Sequence, residues 1–161
     1  LSSQANRNIM LGQLDPDEIE ELLRNNMIGR IGCSDEGLTY VVPVSYLYDN
    51  NTILCHSRDG MKIAMMRRNP NVCFEVDEIR DFNNWRSVIA WGVYEELTED
   101  EDIEYAQQFF TDYMLQMKTE ATAPPPHLQE DRFREQMPDY VPAIYYRIHL
   151  QKITGRYERP L

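Results

Sequence analysis

The chain has 161 residues, 42% of them hydrophobic and 27% charged, with a formal net charge of −11. That length suits one domain with a sizeable core, and that composition excludes wholesale disorder. So large an acidic excess repels phosphate backbones and anionic bilayers at long range, so nucleic acid and membrane are set aside as partners, while a locally basic pocket for a small phosphorylated ligand stays open.

Cys33, Cys55 and Cys73 are odd in number, far apart and without CxxC spacing. This excludes a disulfide scaffold or zinc framework and fits buried, reduced thiols in a cytoplasmic protein; no metal site is expected. No apolar run approaches the ~20 residues of a membrane span, and the polar stretch Leu1 to Asn8 lacks the apolar centre of a signal peptide. Residues 1–13 read as an N-terminal arm of open role, and 14–161 as a single domain.

In chain order, Asp15-Pro16-Asp17-Glu18 starts a helix, with Asp15 as cap, proline at the first helical position and Glu18 completing a capping box. Ile19, Leu22 and Leu23 form its apolar face, and Asn25-Asn26 ends it. Met27 to Cys33 reads as a short strand, Ser34 to Gly37 as a turn, and Leu38 to Tyr48 as a strand containing an awkward proline, Pro43. Asp49-Asn50-Asn51 is a hairpin turn and Thr52 to His56 the returning strand. Met61 to Arg68 is helical and Asn69-Pro70 stops it. Asn71 to Asp77 alternates as a strand, Glu78 to Asn84 reads as a polar loop, and Trp85 to Leu97 as a long strand. A second capping box, Thr98 to Glu101, opens a helix with Ile103, Ala106, Phe110, Tyr113 and Met117 at helical spacing; its apolar stripe suits core or subunit packing. Residues 119–142 hold five of the nine prolines and read as an irregular excursion. Ala143 to Thr154 is the closing strand, with Gly155-Arg156 after it. Strands joined by short turns, with few helices, predict a mainly β, antiparallel barrel with peripheral helices.

The most informative segment for chemistry is Cys55 to Lys62, where a strand ends, a polar turn with Gly60 follows and a helix begins. Unpaired N–H groups at a helix start suit a phosphate. Ser57, Arg58 and Lys62 add donors, although an ordinary solvated turn would have the same residues. Val41 to Tyr46, broken by Pro43, could present backbone groups to the edge of a heteroaromatic ring, or be a plain edge strand. Asn83 to Ile89 sets Trp85 and Arg86 at a strand entry, suited to ligand contact or simply to core packing.

The ordered set VVPVSYLYD (Val41–Asp49), ILCHS (Ile53–Ser57), GMK (Gly60–Lys62), RRNPNVCFEVDE (Arg67–Glu78) and WRSVIAWGVYEEL (Trp85–Leu97) resembles the pyridoxamine 5′-phosphate oxidase-like superfamily, and within it the nitroimidazole-resistance branch. The resemblance implies an FMN-binding antiparallel split β-barrel, working as a homodimer with flavin at the subunit interface. It implies cofactor contacts from Pro43, Val44 and Ser45 at the ring, from Cys55, His56, Ser57 and Lys62 around the ribityl chain and phosphate, and from Asn84, Trp85, Arg86 and Ser87 reaching the flavin of the other subunit. Arg58 matches no family ligand. The shorter chain and the ending Arg156 to Leu161 depart from true pyridoxamine-phosphate oxidases, which puts vitamin B6 oxidation in doubt.

The function so implied is an FMN-dependent oxidoreductase, flavin reductase-like or nitroreductase-like, that passes electrons from a nicotinamide donor to a small molecule. His56 and Tyr46 are its candidate catalytic residues. The alternatives are a haem-binding split barrel, with His56, His127 or His149 as axial ligand, and a non-catalytic FMN-binding module; a deazaflavin could also replace FMN.

Overall fold

The barrel begins with two tight hairpins. Glu36 and Gly37 between the first pair of strands, and Asn50 and Asn51 between the second, all have positive φ, with Gly37 at +80°. Both central residues on the left-handed side define the turn whose twist matches paired strands. The computed structural model describes residues 9–117 and 142–161.

Its elements are β1 (Ile9–Gln13), α1 (Pro16–Asn25), β2 (Ile28–Asp35), β3 (Leu38–Asp49), β4 (Thr52–Ser57), α2 (Met61–Arg68), β5 (Asn71–Asp81), β6 (Asn84–Glu96), α3 (Asp100–Met117) and β7 (Ile144–Pro160). All neighbouring strands are antiparallel, in the order β1-β7-β4-β3-β2-β5-β6, and β7 also pairs with β6. That last pairing closes β2 to β7 into a barrel and removes their free edges. β7 performs the closure because it is long enough to serve three neighbours. Ile144–His149 lie along β4, Tyr146–Glu158 along β6 and Arg156–Pro160 along β1.

The interior follows from strand alternation. Ile31, Val44, Tyr46, Ile53, Cys55, Phe74, Val76, Val88, Ala90, Tyr146 and Ile148 point inward and join Leu22 and Leu23 of α1 and Ile63 and Met66 of α2 in one cluster. The capping box of α1 is formed in full, with the Asp15 side chain accepting from Glu18 N and Glu18 accepting from Asp15 N. Gly155 lets α1 approach β7, since a Cβ there would come within 2.7 Å of Leu14 and 2.8 Å of Ile19. α3 lies outside the barrel, where Ala106 and Phe110 pack on Leu47, Leu54, Leu97 and Tyr145. Its predicted stripe from Ile103 to Tyr113 therefore covers its own barrel; the Met117 side chain lies outside the description.

Several expectations change. The polar loop expected over Glu78 to Asn84 is the end of a hairpin, because β5 runs to Asp81 and pairs there with Asn84. The closing strand extends through Gly155 to Pro160, held by β6 and β1. Part of the expected arm, Ile9 to Gln13, is a strand. Cys33 and Cys55 are buried, but Cys73 sits half-exposed on the outer face. α3 starts at Asp100, one residue beyond the start that a Thr98 cap would set. Residues 119–141, including His127, lie outside the described residues. Among those described, no helix is long and apolar enough to cross a membrane, and no group of three metal-ligating side chains occurs.

Candidate functional site

The barrel splits between β3 and β4. Their ladder runs only from Asp49↔Thr52 to Tyr46↔Cys55. Beyond that point β3 stays with β2 as far as Leu38↔Asp35, while β4 stays with β7 to Ser57↔Ile144. A cleft opens between the diverging strands, and α2 begins at its lip.

Pro43 belongs on this open edge. Tyr46 N donates to Met27 O at 2.8 Å, so in the alternating antiparallel pattern residues 44 and 46 bond toward β2, while 41, 43 and 45 face the other way. Pro43 thus gives up no ladder bond, and the backbone of Val41 and Ser45 turns toward the cleft. The Pro43 side chain is exposed and that of Ser45 half-buried. Val44 differs from the expectation on both counts: its side chain is buried in the core and its peptide groups turn toward β2.

On the other lip, His56 and Ser57 end β4. The His56 ring meets Phe110 edge to face, with centroids 4.8 Å apart, and lies 5.8 Å from Tyr145, so α3 and β7 fix its orientation. The Ser57 hydroxyl donates to Arg58 O at 2.9 Å. Gly60 caps α2 with no side-chain hydrogen bond; unlike α1, this helix start keeps unpaired N–H groups. Lys62, in its first turn, reaches inward, with its ammonium 5.9 Å from the centroid of the Tyr146 ring. Burial lowers its pKa, and it has no carboxylate partner among the described residues. Beside it the buried Tyr146 hydroxyl has no hydrogen-bond partner among the described residues beyond the weak one its register neighbour Cys55 offers.

Two candidates are placed away from the cleft. Cys55 is wholly buried, and burial pushes its thiol up to about 12, so it faces the core rather than a ligand. Tyr46 is also fully buried and donates to Leu23 O at 2.9 Å; burial raises its phenol pKa. It holds α1 to the barrel and presents nothing to a substrate.

Asn84, Trp85, Arg86 and Ser87 form a second group at the start of β6. Trp85 Nε1 donates to Glu158 at 3.1 Å. Arg86 donates to Glu78 at 2.8 Å and to Glu21 at 3.1 Å. β7 spans the distance between the groups, since Ser57 pairs with Ile144 and Trp85 with Glu158; those fourteen steps make a contour of about 46 Å.

The sequence reading missed the surface between them. In register across β3, β2, β5, β6 and β7 run Pro43–Arg30–Glu75–Ile89–Thr154 and Val41–Gly32–Cys73–Trp91–Lys152. Arg30 sits centrally, bonded to Glu75 at 2.8 Å and Asp77 at 3.1 Å. Around it Ile28, Val41, Ile89 and Trp91 are exposed, Val41 by 61% and Trp91 by 41%. A groove of about 630 Å³ follows the Gly32–Cys73 row. The available signal was the outward parity of Ile89 and Trp91 in an alternating strand.

A closed antiparallel ring opened along one seam, with helices outside, is the split barrel of the FMN-binding class. The chain belongs to the pyridoxamine 5′-phosphate oxidase family, whose model matches residues 15–157. It is similar to the crystal structure of an FAD-binding protein from Mesorhizobium loti, with 26% identity, a TM-score of 0.69 and coverage of 94% of this chain and 98% of that one. A Bacteroides thetaiotaomicron structure classed with the 5-nitroimidazole antibiotic resistance proteins shares the fold, with 20% identity, a TM-score of 0.63 and coverage of 94% and 89%. An uncharacterized protein of Rhizobium meliloti is 32% identical over 81 residues, which is 50% of this chain and 54% of that protein; the match thus spans about half the length of that relative.

Proposed function

We propose that the protein is an FMN-dependent oxidoreductase that works as a homodimer, with each flavin held in the β3–β4 cleft of one subunit and covered by the other. The observation that carries this reading is the seam: a cleft with free backbone groups on one lip and an uncapped helix start on the other. Family membership and similarity to an FAD-binding protein agree with it.

The residues suit the group. The open parity of Val41 and Ser45 offers donors and acceptors to a ring edge. The α2 N–H groups, Ser57 and Lys62 offer donors to a phosphate. Lys62 suits the task because no carboxylate among the described residues holds it, so its charge is open to an arriving anion. His56, fixed by Phe110 and Tyr145, stands where it can donate to the ligand. The bound flavin would supply two-electron transfer, and the protein would position it, exclude water and tune it.

The separation of the two residue groups supports a dimer. One chain holds Pro43 and Ser45 at one margin of the outer face and Ser87 near the other, three strands away. A two-fold axis through the Arg30–Glu75 centre would lay the β3 margin of each copy on the β6 margin of the next and bury the exposed Val41, Ile89 and Trp91. A nicotinamide is the proposed electron donor and a small molecule the acceptor.

The test is a visible spectrum of the purified protein, with mass analysis of whatever denaturation releases. FMN at about one per chain, reducible by a nicotinamide, is the expected result. FAD in its place would correct the cofactor, and failure to bind any flavin would end the reading.

A further inference from the structure

We propose that a recess at the foot of β6 is a binding site for a phosphate monoester, with Arg80 and Arg159 as its ligating cations. The recess holds about 290 Å³ between the β5–β6 hairpin, the end of β7 and the start of α1. That is near the lower end of small-molecule sites, so it takes one end of a ligand rather than the whole. The inference goes beyond the flavin reading and does not depend on it.

Three arginines line the recess, Arg80, Arg86 and Arg159, against two carboxylates, Glu18 and Glu78. In a chain of net charge −11 such a local positive balance is against the trend. The carboxylates are already committed. Glu78 accepts from Arg86 at 2.8 Å and from Asn26 at 3.0 Å, and Glu18 accepts from Asp15 N in the α1 cap at 3.0 Å. Arg86 is committed too, between Glu78 and Glu21.

Two cations remain. Arg80 makes no hydrogen bond or ion pair with any described residue. It is the extra residue where the β5–β6 register shifts between Ile79 and Asp81, and such bulges re-aim side chains. Arg159 lies 4.2 Å from the centroid of the Tyr157 ring and only loosely near Glu18, at 3.8 Å. Stacking holds its guanidinium plane while leaving the donor edge free. Trp85, pinned through Nε1 to Glu158, adds an aromatic wall. Two guanidinium forks match a dianion better than a single carboxylate charge, and the ring beside them suits an aromatic ester.

The phosphate could belong to a second ligand or to a flavin reaching across from the partner subunit, and the experiment separates these sources. Flavin-free, full-length protein would be titrated with phenyl phosphate, followed by calorimetry and tryptophan fluorescence, with inorganic phosphate and benzoate as comparisons. Saturable binding of phenyl phosphate is expected, competed by inorganic phosphate and weakened at least tenfold in both Arg80→Gln and Arg159→Gln, whose melting temperatures should match the parent. Competition by FMN but not by riboflavin assigns the site to the cofactor's phosphate and would move that phosphate away from α2 and Lys62. Binding that persists in flavin-loaded protein assigns it to a second ligand. No saturable binding, affinity unchanged in both variants, or benzoate bound as tightly as phenyl phosphate would each overturn the proposal. Flavin content, measured separately, keeps this result distinct from failure of the flavin reading.

Discussion

Lys62 shows the tension between stability and binding at a single residue. Its ammonium is half-buried over Tyr146, and that burial makes the folded state bind the proton less readily than the unfolded chain. Because the folded pKa lies below the unfolded one, stability of the flavin-free protein should rise with pH through the window between them. Lys62→Met should remove that slope and raise the melting temperature at neutral pH. The same change should weaken FMN by about 1.5–3 kcal/mol, and titration with FMN would sink the phosphate assignment if affinity were unchanged. Tyr46 makes the opposite case. Tyr46→Phe should cost about 0.5–1.5 kcal/mol through the lost bond to Leu23 O and leave flavin affinity and turnover alone. A large fall in turnover with little loss of stability would restore it as a catalytic candidate.

Between elements, the clearest electrostatic junction joins β6, β7 and α3. Glu95 accepts two bonds from Arg147, at 2.6 and 3.1 Å, and contacts His149, while Arg147 also lies 3.6 Å from Asp102. The bonds from Arg147, then His149, hold the Glu95 carboxyl down at about 2. A depressed carboxylate stabilises above its unfolded pKa, so this contribution should fade as pH falls from about 4.3 to about 2. The group is partly exposed, so the effect should stay under about 1 kcal/mol. Glu95→Gln should flatten that part of the acid-unfolding curve, and an unchanged curve would mean that solvent screens the cluster completely.

The same scale shows what was legible in the sequence. Helices α1 and α2 could be read closely because their signals are local: a capping box for one, a Gly start and Asn-Pro stop for the other. The hairpin turns at Glu36-Gly37 and Asn50-Asn51 were visible for the same reason. The ends of β5 and β7 were not, since Ile79 to Asp81 and Gly155 to Pro160 are extended by strands far away in the sequence. Within the candidate site, Pro43 and Ser45 lie on one lip of the cleft and His56, Ser57 and Lys62 on the other. Cys55, Val44 and Tyr46 could be sorted from them only once the inward parity of β3 and β4 was known. Arg80 and Arg159 left no sequence signal, because a bulge in β5 and the far end of β7 bring them to one recess.

For the whole molecule, the outer face carries the assembly prediction. Trp91 is 41% exposed there, beside the groove and away from the cleft of its own chain. Trp91→Glu should set like charges and an unpaired carboxylate into a dimer interface built on this face. Sedimentation should then report a monomer, and flavin should be released with the loss of the partner. A Trp91→Glu protein that stays dimeric would move the interface elsewhere, and one that is monomeric yet keeps its flavin would defeat the shared site.

The closure by β7 also matters during synthesis. A ribosome that has made the chain as far as Glu96 has produced β2 to β6, yet β4 and β6 still lack the neighbour that seals them. Those two edges stay open until β7 has cleared the exit tunnel, so the ring cannot form before its last strand has been made. Until then the nascent chain is a curled sheet with adhesive margins, dependent on dilution or chaperones to keep it from neighbouring chains.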